Sequence, residues 1–583
     1  AWSQMIVQFV DTRAYAFGIV LATYLAGLVL GSALYAGIAD RVRPWLAFAL
    51  LEVLVGLAVL ATVAALGPWL PRAQASLDAA VRAASGSTAL ATSLRFALAA
   101  AALVLVPTLL LGAAFPAAVR LVAGTRQVGG RLGWMAAVNI AGGIAGTALT
   151  GFVAVPALGL VRTTVLLGCT AAAVGGIALV YGARRRAPAA AVALAMLAAA
   201  ALFGLRIPTD TLARLLVAAR GGTLEFYQES AGATVAVVRQ PHFDGSYRRL
   251  YIQGASNSGD GLMSLRYMRL QALLPLVVHA GEPRTALVIG LGTGITCGAL
   301  LAYPGLAERA CVELLPAVVE AARRFRGNFG VTTDPRITLR LRDGRHDLLT
   351  TAARYDLITL EPPPPDAAGA SDLYSREFYA LARTRLAPHG LLAQWWPLGL
   401  GERASRSLVR SVLDVFPHVT LWTTEAHETM LLASAEPIVL DVPRLTARFE
   451  APGVREALAE AGVATPAALL ATYVTDRDGL DRFAGDAPPV TDDRPRLEHA
   501  GWGRAGDFEA VVGRVFAERR AVPLQGSDAS LRAAVDTERR ILMTFYQAVL
   551  DLYAGGAQTA AARLAQVTKA DPDNPYYRWF LGR

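Results

Sequence analysis

Ala286-Leu-Val-Ile-Gly290-Leu-Gly292-Thr-Gly294 is a short apolar run that breaks into glycine. The apolar residues suit a strand buried on both faces. Gly290, Gly292, Thr293 and Gly294 then lead into a helix expected over 293–302. Glycines there let the backbone approach a ligand closely, and a helix N-terminus favours negative charge. A glycine run alone is also compatible with a tight turn, so its surroundings matter. Downstream, Arg309-Ala-Cys-Val-Glu313 reads as a strand, 316–325 as a helix with Pro316 in its first turn, and Ile337-Thr-Leu-Arg-Leu341 and Tyr355-Asp-Leu-Ile-Thr-Leu360 as two more strands. This alternation predicts an α/β domain with a mostly parallel, doubly wound sheet.

The strand ends carry the chemistry. Glu313 follows the glycines by about 20 residues, the spacing at which an acid binds ribose hydroxyls. Asp343-Gly344 ends the third strand, where a carboxylate can accept from an adenine amine. Taken singly, Glu313 and Asp343 also read as solvated caps. Together they occupy the carboxyl edge, where open α/β sheets bind ligands. The fourth strand ends in Glu361-Pro-Pro-Pro-Pro365. Four prolines cannot continue a ladder, so the chain leaves the sheet there. Glu361 is then held at the mouth of the site, placed to take a proton from an attacking amine or to orient it.

Upstream, Thr234-Val-Ala-Val-Val-Arg239 and Arg249-Leu-Tyr-Ile-Gln253 flank the turn signal Asp244-Gly245 and suggest a small β-hairpin domain; an amphipathic stretch over 261–279, ending near Pro275, follows. The first third is different. Of the 583 residues 54% are apolar and 17% charged, against about 25% charged in a typical soluble chain. The length suggests roughly three to four domains. Uncharged runs near 15–38, 46–67, 97–119, 133–156, 160–182 and 188–205 mostly reach the ~20 residues that cross a bilayer. Residues 1–205 hold 13 arginines against Asp11, Asp40, Glu52 and Asp78, and the remainder balances 42 basic with 42 acidic residues. The chain's excess of +9 is therefore membrane-flanking arginine, and no basic stripe for nucleic acid remains. Arg41/Arg43, Arg120/Arg126/Arg131 and Arg184/Arg185/Arg186 mark one face as cytoplasmic. If 188–205 spans, residues after 206 emerge on the opposite face, which conflicts with nucleotide chemistry in the cytosol. The opening Ala1-Trp2 suggests an upstream segment. The expected order is a multi-span domain (1–205), a linker and small β domain (206–280), the α/β domain (281–500) and a helical extension (501–583), whose Asp571-Pro-Asp-Asn-Pro575 resembles a tetratricopeptide repeat boundary. A lone repeat must pack on the body or on a partner.

Cys169, Cys297 and Cys311 form no disulfide or metal framework, the seven histidines show no ligand spacing, and no metal is expected. Trp395 and Trp396 read as core or pocket wall.

Together these elements resemble spermidine synthases, aminopropyltransferases of the Rossmann-like, class I methyltransferase-like fold. The resemblance runs over 225–498. It adds Asp334-Pro-Arg336, Leu373-Tyr-Ser-Arg-Glu-Phe-Tyr379 and Leu386-Ala-Pro-His-Gly390. The whole chain resembles a bacterial branch that fuses a multi-span membrane domain to such a synthase-like domain, through Gly27-Leu-Val-Leu-Gly31, Ala39-Asp-Arg41, Gln394-Trp395, and Thr491-Asp-Asp-Arg-Pro495 with Glu498. The resemblance implies catalytic roles for Glu361 and Tyr267. It implies donor contacts from Gly290, Gly292, Thr293, Gly294, Glu313, Asp343 and Gly344, and substrate contacts from Gln253, Arg269, Tyr374, Gln394 and Trp395. The donor implied is decarboxylated S-adenosylmethionine, or S-adenosylmethionine itself. The acceptor is a small amine or a membrane-associated group, at the bacterial inner membrane, with the cytosolic side favoured by donor supply and a homodimer possible.

Departures fall on the amine side. Thr293 stands where the family has an Asp for the donor's amine. Tyr267 remains, but Arg269 and Leu273 replace a Glu and a His. Glu361 stands for the first Asp after the fourth strand and Pro364 for the second, and Thr234 for an early Gln. Burying an unpaired ammonium costs several kcal/mol, so the polyamine half is expected to be rebuilt and activity on putrescine is doubtful. Methyl transfer is the close alternative. Transport or sensing of polyamines by a degenerate synthase domain is the other, suggested by Gly27/Gly31 and Ala39-Asp-Arg41. Against it, Glu52 and Asn139 are the main polar groups in the spans, whereas a pathway usually needs several. Small-residue helix packing is the plainer reading of the glycines.

Overall fold

The computed structural model describes residues 2–10, 13–122, 128–243, 245–498 and 506–581. Ala1, Asp11, Arg126 and Asp244, used above, lie outside them. The chain divides into two compact units, Ala1–Ala236 with Ile252–Ala255 and Val237–Tyr251 with Ser256–Arg583.

The first unit is helical. Five of its helices are long and apolar enough to cross a membrane, by length and composition: Tyr15–Arg41, Pro44–Ala64, Thr88–Val122, Gly129–Gly182 and Arg186–Leu205. The expected runs 133–156 and 160–182 lie in the continuous apolar stretch Gly129–Gly182. They are divided at Gly159, whose φ of 78° and ψ of 169° are not helical. The break frees the Leu160 N–H, which donates to the Glu229 carboxylate. Glycines set the packing elsewhere. A side chain at Gly27 would run into Thr108, and one at Gly31 into the Leu109 carbonyl, so this pair is a close helix crossing. At Ala39-Asp-Arg41 the chain makes a 3₁₀ turn, and Arg120 donates to the Ala39 carbonyl.

Strands β1 (Thr223–Glu229), β2 (Thr234–His242), β3 (Gly245–Ile252) and β4 (Ala255–Gly259) form a sheet in chain order. The main sheet of the second unit holds β5 (Thr285–Ile289), β6 (Glu308–Glu313), β7 (Ile337–Leu341), β8 (Tyr355–Leu360), β9 (Leu386–Pro397), β10 (His418–Glu425) and β11 (Glu428–Ser434). β12 (Leu440–Asp441) and β14 (Leu524–Gln525) pair separately, and β13 (Tyr473–Thr475) completes the main sheet in the order β13-β10-β11-β9-β8-β5-β6-β7. The five strands from β7 to β9 are parallel, while β11, β10 and β13 add antiparallel. The order reverses between β5 and β8, which opens a crevice at their carboxyl ends.

Helix Leu262–Val278 departs from the amphipathic expectation. It runs through Pro275, and every residue from Arg266 to Val278 is buried. Of its two arginines Arg266 is satisfied internally, while Arg269 bonds only through Nη2 and leaves Nε and Nη1 buried without a hydrogen-bond partner among the described residues. Arg266 donates to the carbonyls of Thr424, Ala461 and Gly462 and lies 4.2 Å from the Tyr576 ring. The C-terminal helices Ala529–Tyr553, Ala557–Ala570 and Pro575–Leu581 pack on this body through Leu542, Phe545, Tyr546, Val549, Tyr576 and Tyr577, around Ala426.

Candidate active site

The glycine loop is a backbone construction. Gly290, Gly292 and Gly294 have φ of 92°, 53° and 82°, a region costly for other residues. Gly290 N–H reaches the Val312 carbonyl at 2.8 Å and Gly294 N–H the Leu291 carbonyl at 2.7 Å. A Cβ at Gly294 would lie 2.6 Å from Val331 Cγ1. The helix after the loop is shorter than expected: Ile295–Ala299 followed by a 3₁₀ turn to Ala302. Asn328 buttresses the loop through its amide, 3.0 Å from the Thr293 carbonyl and 2.8 Å from that of Ala322.

Glu313 joins this loop to β6. Its Oε2 accepts from Leu291 N–H at 2.9 Å and its Oε1 from Leu315 N–H at 2.8 Å. Burial pushes the Glu313 carboxyl above its usual value, and the backbone donors pull it back. Asp343 is exposed and caps helix Gly344–Thr350, accepting from His346 N–H at 2.7 Å. Gly344 packs against Ile289, where a side chain would clash. Arg342 N–H bonds to the Glu313 carbonyl at 3.0 Å. Gly290, Gly292, Glu313, Asp343 and Gly344 therefore share one sheet edge. Thr293 is fully buried, with its hydroxyl 3.3 Å from Met268 Sδ.

Glu361 stands beside the loop: its carbonyl lies 3.2 Å from where a Cβ on Gly290 would be. The Tyr267 hydroxyl donates to Glu361 Oε1. Glu361 is deeply recessed yet partly exposed, and burial pushes its carboxyl up to about 7, with the Tyr267 bond working the other way. Burial and the Glu361 charge push the Tyr267 phenol well up in turn, while Arg249 lowers it. The proline loop is braced by the Tyr374 hydroxyl, 3.2 Å from the Pro363 carbonyl. Glu498 Oε1 accepts from Gly369 N–H at 3.0 Å, and Arg345 holds Asp492 with two bonds of 2.8 and 2.5 Å. The stretch from Thr491 to Glu498 is thus a strap on the loop that carries Glu361.

Trp395 joins Tyr267, Met268 and Ile295 in one buried cluster. Trp396 points the other way, against Phe483 at 5.5 Å between ring centroids. By alternation Gln394 shares the Trp396 face; its amide bonds to the Trp395 carbonyl at 2.9 Å. Arg269 is 1% exposed. Its guanidinium lies 4.1 Å from the Phe329 ring and bonds to the Gly327 carbonyl at 2.9 Å and Glu460 at 3.2 Å. Burial lowers its pKa to about 10. Gln253 belongs to the first unit, where its amide donates to the Gly232 carbonyl at 3.2 Å.

Sequence reasoning missed Glu428, the first residue of β11, whose carboxyl is pushed well up by burial and by the charges of Glu425 and Glu361. The available signal was an acid opening the apolar run Thr429-Met-Leu-Leu-Ala433.

Residues 265–423 match the family model described as the spermine/spermidine synthase domain. The chain carries a spermidine synthase domain. Its C-terminal half is homologous to polyamine aminopropyltransferases. The curated relative of that name from Mycobacterium tuberculosis is 30% identical over 290 residues, 46% of this chain and 52% of that protein. The one from Nitrosomonas europaea is 33% identical over 195 residues, 31% of this chain and 58% of that protein. The chain thus spans about half the length of these curated relatives. Among solved structures, a probable spermidine synthase from Corynebacterium glutamicum is similar with a TM-score of 0.34 and 18% identity, covering 46% of this chain and 96% of that one. Seen beside the spermidine synthase domain, the apolar helices of the first unit are consistent with a membrane-fused arrangement.

Proposed function

We propose that this chain is a membrane-anchored aminopropyltransferase-like enzyme, which moves an aminopropyl group from a decarboxylated S-adenosylmethionine-type donor to an amine acceptor. The observation that carries the reading is Glu361, recessed, bonded to Tyr267 and set beside Gly290 at the edge where Glu313 ties down the glycine loop. The glycine loop and Glu313 would hold the adenosine, with Asp343 and Gly344 near the base. The acceptor nitrogen attacks the aminopropyl carbon attached to sulfur. The N–C bond forms, the C–S bond breaks, its electron pair goes to sulfur, and 5′-methylthioadenosine leaves. The proton shed by the nitrogen goes to the Glu361 carboxylate. A carboxyl held at about 7 suits proton uptake near neutral pH, and the rest of the catalysis is positioning.

The five apolar helices support anchoring in a bacterial inner membrane; donor supply favours a cytosolic site, with a small or membrane-associated amine as acceptor. Methyl transfer is the second reading, favoured by Thr293, whose hydroxyl faces Met268 and offers no carboxylate to a donor amine. The test uses the purified full chain in detergent, given each donor separately with a panel of amines. Amine-dependent release of 5′-methylthioadenosine, lost in Glu361→Gln, supports aminopropyl transfer. Release of S-adenosylhomocysteine supports methyl transfer. No affinity for either donor or for 5′-methylthioadenosine sinks both.

A further inference from the structure

The loop after β8 carries Glu361, then four prolines and Asp366, with Asp372 further on; Pro364 stands where the resemblance has a second Asp. A further carboxylate reaches the Glu361 side of the sheet from a different strand. In the β9–β11 register Glu428 pairs with Pro397 and Met430 with Trp395. With a two-residue period, Glu428 and Trp395 share the face on which Tyr267 packs. Leu360 pairs with Gln394, so Glu361 continues on that face as well.

Glu428 Oε2 is sealed from solvent with no hydrogen-bond partner among the described residues, and so is Nε1 of Trp395, a residue 9% exposed. The Trp395 indole is near enough to ease the Glu428 carboxyl downward, although neither Oε2 nor Nε1 completes a hydrogen bond. Buried polar groups are normally paired. Glu425 and Glu361 act on Glu428 as like charges, and among the described residues no ion pair answers it. Glu425 is otherwise engaged: its Oε2 accepts from His427 N–H at 3.0 Å.

The hairpin that carries Glu428 is clamped. Ala426 N–H donates to the Tyr576 hydroxyl at 2.9 Å, the Tyr546 hydroxyl to the Glu425 carbonyl at 2.7 Å, and His427 Nε2 meets the Tyr553 hydroxyl at 2.9 Å. The C-terminal helices therefore fix the strand end from which an unpaired carboxyl faces the acceptor side.

We propose that Glu428 is the specificity-determining anion of the acceptor site, holding the distal ammonium of a linear diamine while Glu361 serves the reacting nitrogen. This rests on the amine-acceptor reading above. Burial raises the Glu428 carboxyl; an arriving ammonium draws it back toward the carboxylate, which restores from β11 the charge that Pro364 lacks.

The test is equilibrium binding to the full chain in detergent with 5′-methylthioadenosine present, comparing radiolabelled 1,4-diaminobutane with butylamine. The wild type is expected to prefer the diamine by about tenfold or more, the scale of one buried charge pair. Glu428→Gln should erase that preference while 5′-methylthioadenosine affinity and thermal midpoint stay unchanged. A wild type without preference, or a Glu428→Gln chain that keeps it, overturns the proposal. Should Glu428→Gln lose 5′-methylthioadenosine binding by misfolding, Glu428→Asp decides: a weakened preference supports the role and an unaltered one overturns it. Because binding needs no turnover, a chain that binds diamine through Glu428 but never releases 5′-methylthioadenosine would sink the transfer reading and leave this one standing.

Discussion

The two halves of the candidate site are built in different ways. The glycine-loop half is backbone: one contiguous stretch, Gly290 to Gly294, tied to β6 by a single carboxylate, Glu313. The half proposed for the amine is side chains from four distant segments: Tyr267 on a buried helix, Glu361 after β8, Trp395 on β9 and Glu428 on β11. A site made of backbone tolerates little change in its own residues. A site made of side chains can lose an acid in one segment and gain one in another.

The contrast breaks first at Glu361. Glu361→Gln should lower turnover by about 10²–10⁴-fold, the usual worth of a positioned base, with 5′-methylthioadenosine binding unchanged. If donor binding falls equally, the two halves are not separable. Next in size is the support of the amine half. Arg266→Ala removes the donor to the Thr424 and Ala461 carbonyls, leaves that of Gly462 to the Asn574 amide alone, and removes the contact to the Tyr576 ring. It should cost about 2–4 kcal/mol in thermal or urea unfolding, and limited proteolysis should release the helices after 529. On the backbone side, Gly294→Ala forces a side chain into a φ of 82° against Val331. The expected cost is about 1–3 kcal/mol, together with weaker 5′-methylthioadenosine binding read by calorimetry.

The smallest effect sharpens the assignment of the base. Glu361 sits at about 7 in the fold, above its ordinary 4.5. The folded chain therefore holds a proton through that window which the unfolded chain has released. The stability due to this group is present below about pH 4.5 and is lost as pH rises through 7. Activity runs the opposite way and should rise on a limb near pH 7. Tyr267→Phe removes the donor that favours the carboxylate, so the limb should move up by about one pH unit. A limb that stays put, measured as kcat against pH, would take Tyr267 out of that role.

Much of this was legible beforehand where local pattern and structure coincide. β7 and β8 occupy the expected 337–341 and 355–360, because short β-branched runs between breakers have little other choice. Glu313 at a strand end was readable from its distance to the glycines. Helix 262–278 was not: its period suggested one polar face, but Arg266 and Arg269 are buried against carbonyls, a carboxylate and aromatic rings from remote segments. The expected division between the runs 133–156 and 160–182 falls at Gly159, a single non-helical residue that breaks the continuous apolar stretch Gly129–Gly182. Glu428 stayed hidden because nothing in its own neighbourhood tells which face it takes; only the β9–β11 register does.

The sequence by itself determined the apolar first third, the α/β sheet, the glycine loop with its acid, and a proline-braced Glu361, since each depends on residues near one another in the chain. The tertiary structure alone decided that Thr293 turns toward Met268, that Arg269 packs on Gly327, Phe329 and Glu460, and that Glu428, far downstream, shares a sheet face with Trp395 and Glu361. Those outcomes follow from strand order and register, which long-range pairing sets and no local pattern encodes.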